Sequence, residues 1–474
     1  MVRYISTRGM APALPFLDVL LTGLARDGGL YVPEAWPCLS PADLRALAGR
    51  PYDEVAVAVT APFVGGAIAP DLFRSMVRDA YAGFRHAAVA PLVQTDSSTW
   101  LMELFHGPTL AFKDVAMQLL GRLFDHALAQ RGERVTIVGA TSGDTGAAAM
   151  EAFRDRAHLD VFILFPQGRV SEVQRRQMTT VDAPNVHAIA VDGTFDDCQD
   201  LVKAMFNDAA FRDELALSAV NSINWARVLA QTVYYVAASL ALGGPDRPVR
   251  FVVPTGNFGN VYAGHAARAM GIPLDRFVVA SNANDILARF LETGAMEVRG
   301  VVPTLSPSMD IQISSNAERL LFELMDRDGA ALGRWMQDFR RTGRGSLAPA
   351  QADAVRATFA GCRTDDAETT RVIAQTYAST GMVVDPHTAV GLSAAARVPG
   401  DPAVPTVVLS TAHPAKFPDA VERAIGRRPA LPDALSDLYE RKERVTLLPN
   451  DLGAVQAHVR AHSRFRTASI GGTV

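Results

Sequence analysis

Lysine is nearly missing from this chain. Of its 46 basic residues 42 are arginine, and the four lysines are Lys113, Lys203, Lys416 and Lys442. Cysteine is scarce as well. Cys38, Cys198 and Cys362 are odd in number, far apart and without a C-x-x-C pair, which argues against a disulfide framework and fits a reducing cytoplasm. No H-E-x-x-H, no G-x-S-x-G and no His/Cys cluster of ligand spacing occurs, so no metal is expected. The most apolar helical candidate, "VYYVAASLALGG" from Val233, falls short of the ~20 residues that span a bilayer. The opening "MVRYISTRGM" lacks the apolar core of a signal peptide, so neither membrane nor export is expected. A net charge of −4 supplies no positive field, and pairs such as Arg175-Arg176 read as solvated faces, which leaves no case for nucleic acid.

What remains is a chain of 474 residues, 49% apolar and 20% charged, with the composition of a soluble globular protein of two to three domains. There is no low-complexity tract and no obvious repeat. Short apolar runs alternate with helical patterns: "RVTIVGA" before "AAAMEAFRDR", "DVFILFP" before "SEVQRRQM", "NVHAIAV" before "FDDCQDLVKAMF", and "VRFVVP" before "VYAGHAARAM". Such runs predict βαβ units in a buried, mostly parallel sheet. Open α/β sheets bind ligands beyond the carboxyl ends of their strands, so the residues after each strand are the place to look. The first ~95 residues carry helical patterns with little strand signal, and the tail after about residue 430 is polar and helical.

Three strand ends are permissive. In "GATSGDTG", Gly143 and Gly146 allow close backbone approach, and Ser142, Thr145 and a helix N-terminus offer donors to an anion. A tight turn capped by Asp144 would look the same. In "PTGNFGN", Gly256 and Gly259 flank Asn257 and Phe258 before a helix; the spacing is neither a dinucleotide fingerprint nor a P-loop, but the amides suit a phosphate. In "PTVVLSTAHP", Ser410, Thr411 and His413 follow a buried strand, where capping is the ordinary role of such residues.

Lysine differs from arginine in that it can lose a proton and attack a carbonyl. Lys113 lies in "HGPTLAFKDVAMQLLGRLF", behind Phe112 and ahead of an apolar helix, where desolvation favours the neutral amine. A reactive amine together with a phosphate-binding turn points to pyridoxal phosphate.

The chain resembles the threonine synthase family of fold type II pyridoxal-phosphate enzymes. The resemblance runs through "YISTRG", "DGGLYVPE", "ELFHGPTLAFKD", "GATSGDTG", "GTFDDCQ", "SINWARVLAQTVYY", "PTGNFGN", "PSMDIQISSNAER", "DPHTAVG" and "STAHPAKFP", in family order over nearly the whole chain. It implies two open, mostly parallel α/β sheets plus a mainly helical N-terminal region. On that reading residues 1–95 are the helical region, 96–138 with 220–430 the large cofactor-binding domain, 139–219 a smaller α/β domain and 431–474 a C-terminal helical segment.

The resemblance also implies roles. Lys113 would bond covalently to the cofactor and shuttle protons, and Phe112 would lie against the cofactor. The backbone of Gly256, Asn257, Phe258, Gly259 and Asn260 would hold the cofactor phosphate, and Thr411 would bond its pyridine nitrogen. Ser142, Gly143, Asp144 and Thr145 would take the substrate carboxylate, while Arg8, Asn224, Arg227 and Lys416 are candidates for the substrate phosphate. The implied reaction is lysis of the carbon–oxygen bond of O-phospho-L-homoserine with addition of water, giving L-threonine and phosphate in a cytoplasmic biosynthetic enzyme. The alternative within the same fold is an O-phosphohomoserine or serine lyase releasing a 2-oxo acid. An activating extension of the plant type would precede "STRG"; five residues do, so no such arm is expected.

Overall fold

Strands without polar alternation need cover on both faces, and Val249–Pro254, Leu159–Pro166 and Thr406–Ser410 are buried at every position. The computed structural model, which describes residues 2–219 and 221–465, places them in two separate parallel sheets. The chain divides into two units, Met1–Ala116 with Ser222–Ala430 and Met117–Asn221 with Leu431–Val474.

The first unit holds a six-stranded sheet in the order Phe359–Arg363, Leu274–Ser281, Val249–Pro254, Thr406–Ser410, Thr99–Glu103, Leu92–Gln94. All neighbours run parallel except the last pair, which is an antiparallel edge hairpin. Leu101, Val252, Val278 and Val408 meet Ile373 and Val390 from the covering helices in one core. Each such side chain contributes about 1.5–3 kcal/mol on full burial. The first residues form a short antiparallel pair, Tyr4–Ser6 with Tyr31–Pro33, and four helices, the longest being Tyr52–Val64 and Pro70–Tyr81.

The second unit holds a five-stranded parallel sheet in the order Thr446–Pro449, Val186–Asp192, Leu159–Pro166, Val135–Ala140, Leu217–Ser218. Two expectations change here. Residues 117–138 go with this unit rather than the large one, because Val135–Ala140 finds its hydrogen-bonding partner in Leu159–Pro166; the division falls inside the helix Lys113–Arg131. The tail from residue 431 is not only helical. Thr446–Pro449 extends the sheet edge, and Val455 and Val459 of the helix Leu452–His462 join Cys198, Leu201 and Met205 in the core. A four-residue edge strand is too short to show a period in the sequence. Residues 466–474 of the expected C-terminal segment lie outside the described ones.

Among the described residues no helix is long and apolar enough to cross a membrane. Gly121 shows how tightly the second unit packs: a Cβ built there would stand 2.4 Å from the Ala152 carbonyl oxygen. Gly121→Val should therefore destabilise this unit by about 1–3 kcal/mol through overpacking against backbone, read as a lower urea midpoint. An unchanged midpoint would mean that the two helices separate freely.

Candidate active site

Two neighbouring parallel strands, Thr99–Glu103 and Thr406–Ser410, end in register, with Glu103 opposite Ser410. Beyond that point the chain reverses direction and the two segments clasp each other. Leu104 N donates to Ser410 O at 2.9 Å, Phe112 N to Thr411 O at 2.8 Å and His413 N to Leu110 O at 3.0 Å, with an antiparallel bridge between Ala111 and Ala412. Phe112, Lys113 and Thr411 are thereby brought together although 298 positions separate Lys113 from Thr411. Lys113 opens a 19-residue helix, is only 8% exposed, and holds Nζ 5.3 Å from the Phe112 ring centroid.

The loop before Lys113 is braced by charge from within. Buried Asp114 accepts from Thr109 N at 2.8 Å and Thr109 Oγ1 at 2.6 Å. Burial pushes its carboxyl above the usual range, opposed by the Thr109 donors and the charge of Lys416. Lys416, with no exposure at all, donates from Nζ to Thr109 O at 2.7 Å. Gly107 makes room, since a Cβ there would lie 2.4 Å from Asp114 Cβ. Leu110 takes the left-handed region at φ 64°, a strained setting for a residue with a side chain. Desolvation, with the charges of Arg85 and His106, pushes half-buried His413 down to about 4, so it stays neutral at pH 7 and caps a short turn through Ala415 N.

Next to the Thr411 strand, Val249–Pro254 ends in the turn of residues 256–260. Phe258 adopts φ 61° at the start of the helix Gly259–Ala269, and no side chain caps that helix. The turn's carbonyls point elsewhere: Gly256 O accepts from Ser314 Oγ at 2.7 Å, and Asn257 O from Asn316 N and Nδ2, both at 3.1 Å. Amides at the uncapped helix start are left to face an anion. A Cβ on Gly256 would stand 2.8 Å from Ser308 O, so the turn lies directly on that backbone. Asn260 is held by Tyr234 and Tyr235, whose hydroxyls donate to Oδ1 at 2.6 and 2.8 Å. Its Nδ2 is buried with no partner among the described residues. An orphaned donor beside uncapped amides fits a phosphate-bearing group.

The segment leading to Arg227 reaches the same turn. Asn316 Nδ2 also donates to Ser222 O at 3.1 Å, and fully buried Arg319 donates to Ile223 O at 2.6 Å, to Tyr31 O at 3.0 Å and to Asn316 Oδ1. Arg227, 4% exposed in the first turn of the helix Trp225–Ala241, has Nε and Nη1 without a partner among the described residues. Burial pushes it down to about 10.

In the second unit the turn after Val135–Ala140 is organised by Thr141, whose Oγ1 accepts from Gly143 N at 3.0 Å and Gly146 N at 2.9 Å. Gly143 stands at φ 133°, outside the reach of most side chains, and no side chain caps the helix Asp144–Phe153. Asp144 turns inward to accept from Gln174 Nε2 at 2.9 Å, while Ser142 is exposed and Thr145 half-buried. With its carboxylate turned away, the turn presents hydroxyls and amides, which suits an anion.

Family models match three stretches: "Threonine synthase N terminus" over residues 3–81, "Pyridoxal-phosphate dependent enzyme" over 85–333 and "Threonine synthase, C-terminal" over 388–459. Threonine synthase of Pseudomonas aeruginosa is 54% identical over 462 residues, covering 97% of this chain and 98% of its own. The chain belongs to the threonine synthase family. Among solved structures, the pyridoxal-phosphate-bound threonine synthase of Brucella melitensis superposes with a TM-score of 0.97 at 56% identity, covering 98% of this chain and 100% of that one. Yeast threonine synthase gives 0.92 at 38% identity, covering 97% and 98%.

In this threonine synthase family member the structure brings Phe112, Lys113, Thr411 and the 256–260 turn to adjacent strand ends of one sheet. The 142–145 turn belongs to the other sheet. Sequence reasoning missed Asp114, Asn316 and Arg319, which position the site without facing it; a buried charge inside a family block was the available signal. Asp114→Ala should cost about 1–3 kcal/mol, because it leaves the buried Thr109 donors without their acceptor. Urea unfolding measures this, and a loss under about 1 kcal/mol would show that the loop stands without the carboxylate.

Proposed function

We propose that this protein is a threonine synthase, converting O-phospho-L-homoserine and water to L-threonine and phosphate. One observation carries the reading within the family: the backbone clasp that sets buried Lys113 beside Thr411 at a strand end adjacent to the uncapped 256–260 turn. The cofactor is pyridoxal 5'-phosphate, which when bound supplies an electron sink that acidifies the protons on the substrate's Cα and Cβ. Lys113 would carry it, with the amides of residues 256–260 and Asn260 Nδ2 on its phosphate. Phe112 would lie against it, and the Thr411 hydroxyl would meet its ring nitrogen. Threonine at that nitrogen holds less positive charge than a carboxylate would.

Lys113 is then the catalytic base. Its amine takes a proton from Cα and then one from Cβ, and phosphate departs from Cγ with the Cγ–O electron pair. Water adds its hydroxyl to Cβ, its other proton goes to the released phosphate, and the two protons taken by Lys113 return to Cγ and Cα, which balances the reaction. Ser142, Gly143 and Thr145 offer donors for the substrate carboxylate, and inward-turned Asp144 orders that turn. Of the four candidates for the substrate phosphate, three are already engaged. Arg8 pairs with Glu318 at 3.0 Å, Asn224 bonds Leu20 O and Ala226 N, and Lys416 bonds Thr109 O. Arg227 keeps free donors, and we assign the phosphate to it. Three free thiols support a reducing cytoplasm as its place of work.

Lys113→Ala should abolish threonine formation, and Lys113→Arg should do the same because guanidinium does not act as a base near neutral pH. Phosphate release quantified beside threonine and 2-oxobutyrate checks this. Release of 2-oxobutyrate in place of threonine by the wild type would convert the assignment to the lyase. Arg227→Gln should raise KM for O-phosphohomoserine about ten- to hundredfold, the worth of a hydrogen bond to a charged group. Inhibition by inorganic phosphate should weaken in parallel, with bound cofactor unchanged. An unaltered KM would return the assignment to another residue.

A further inference from the structure

Asp385 has no part in the reaction as described, yet it is completely buried and engaged on both oxygens. Its Oδ1 accepts from His387 N at 2.9 Å and lies 2.8 Å from His387 Nδ1, and its Oδ2 accepts from Thr388 Oγ1 and, at 3.3 Å, from Thr388 N. The backbone part of this is an ordinary helix cap for Pro386–Arg397, with proline in the first turn. The side-chain part goes further, because it fixes two hydrogens. A carboxylate only accepts, so Nδ1 of buried His387 carries the proton and Nε2 is left with a lone pair. Ser308 N donates to that lone pair at 3.3 Å. Thr388, its hydrogen given to Asp385, accepts from Ser410 Oγ at 2.9 Å.

Two arms thus leave one carboxylate. The Thr388 arm ends at Ser410, the residue before Thr411 and the one whose carbonyl is held by Leu104 N at 2.9 Å. The His387 arm ends at Ser308, whose carbonyl oxygen would lie 2.8 Å from a Gly256 Cβ and so forms the backing of the phosphate turn. Phe417 packs against the imidazole, its ring centroid 4.8 Å from that of His387. We propose that Asp385 and His387 are positioning residues that set two walls of the cofactor site separately, the Thr388–Ser410 arm facing the ring and the His387–Ser308 arm facing the phosphate. This rests on the cofactor reading above.

The arms predict a pattern that general destabilisation does not produce. Holoenzyme is loaded with pyridoxal phosphate or with pyridoxal, which lacks the phosphate, and release into a scavenger is followed by the visible band. His387→Phe should speed release of pyridoxal phosphate about tenfold and leave pyridoxal within about twofold of wild type, the scale of one lost buried hydrogen bond. His387→Gln, which restores an acceptor toward Ser308, should recover most of the loss. Thr388→Val should speed release of both forms alike. If His387→Phe does not fold, His387→Met against His387→Gln gives the same comparison. Variants that affect both forms equally in every case, or neither form, overturn the proposal while wild type still binds. A wild type that binds neither form overturns the cofactor reading and the proposal with it.

Discussion

Phe112 N on Thr411 O, His413 N on Leu110 O and Leu104 N on Ser410 O are ordinary backbone hydrogen bonds, at 2.8, 3.0 and 2.9 Å. Everything chemical in the first unit hangs from them. They convert the parallel register of two neighbouring strands into a short antiparallel clasp just past the strand ends, and that reversal carries Lys113 to Thr411. Backbone bonds depend little on side-chain identity. What the side chains add is the loop shape that makes the bonds possible: Asp114 and Lys416 gripping Thr109, Gly107 giving way to Asp114, and Leu110 held in a left-handed conformation.

Two buried arginines show how the same residue serves opposite ends. Burial pushes both Arg227 and Arg319 down to about 10. Arg319 offsets its desolvation with neutral oxygens, those of Tyr31, Ile223 and Asn316, and so staples three distant segments behind the 256–260 turn. Among the described residues Arg227 finds no such offset on Nε and Nη1. On the assignment proposed above, the substrate phosphate offsets the cost of burying that charged donor. On that assignment, scaffold and site differ as a satisfied guanidinium differs from an unsatisfied one.

Much of this was readable from the residues. Buried strand runs announced parallel sheets, strand ends pointed to the turns proposed above to bind ligands, and the rarity of lysine singled out Lys113, which the fold sets beside Thr411. The same rarity was ambiguous, since Lys416 shares it and turns out to brace a carbonyl. What escaped was whatever depends on pairing over distance. The partner of Val135–Ala140 moved residues 117–138 into the second unit, and a four-residue strand, Thr446–Pro449, completed a sheet begun some 310 positions earlier. Asp385 reads locally as a helix cap, and only the fold shows where Thr388 and His387 lead.

The strand order has a consequence for how the protein is made. Thr406–Ser410 lies between Val249–Pro254 and Thr99–Glu103, so the six-stranded sheet is split until that strand leaves the ribosome. At roughly 5–20 residues per second, the 307 residues from Glu103 to Ser410 take about 15–60 s to synthesise. The Thr99–Glu103 edge waits unpaired throughout that interval and the Val249–Pro254 edge for about its second half, the situation in which nascent chains aggregate or engage chaperones. Four strands of the other sheet, by contrast, are complete once Ser218 has been made. The smaller sheet can therefore close early in translation, and Lys113 receives its surroundings among the last events of synthesis.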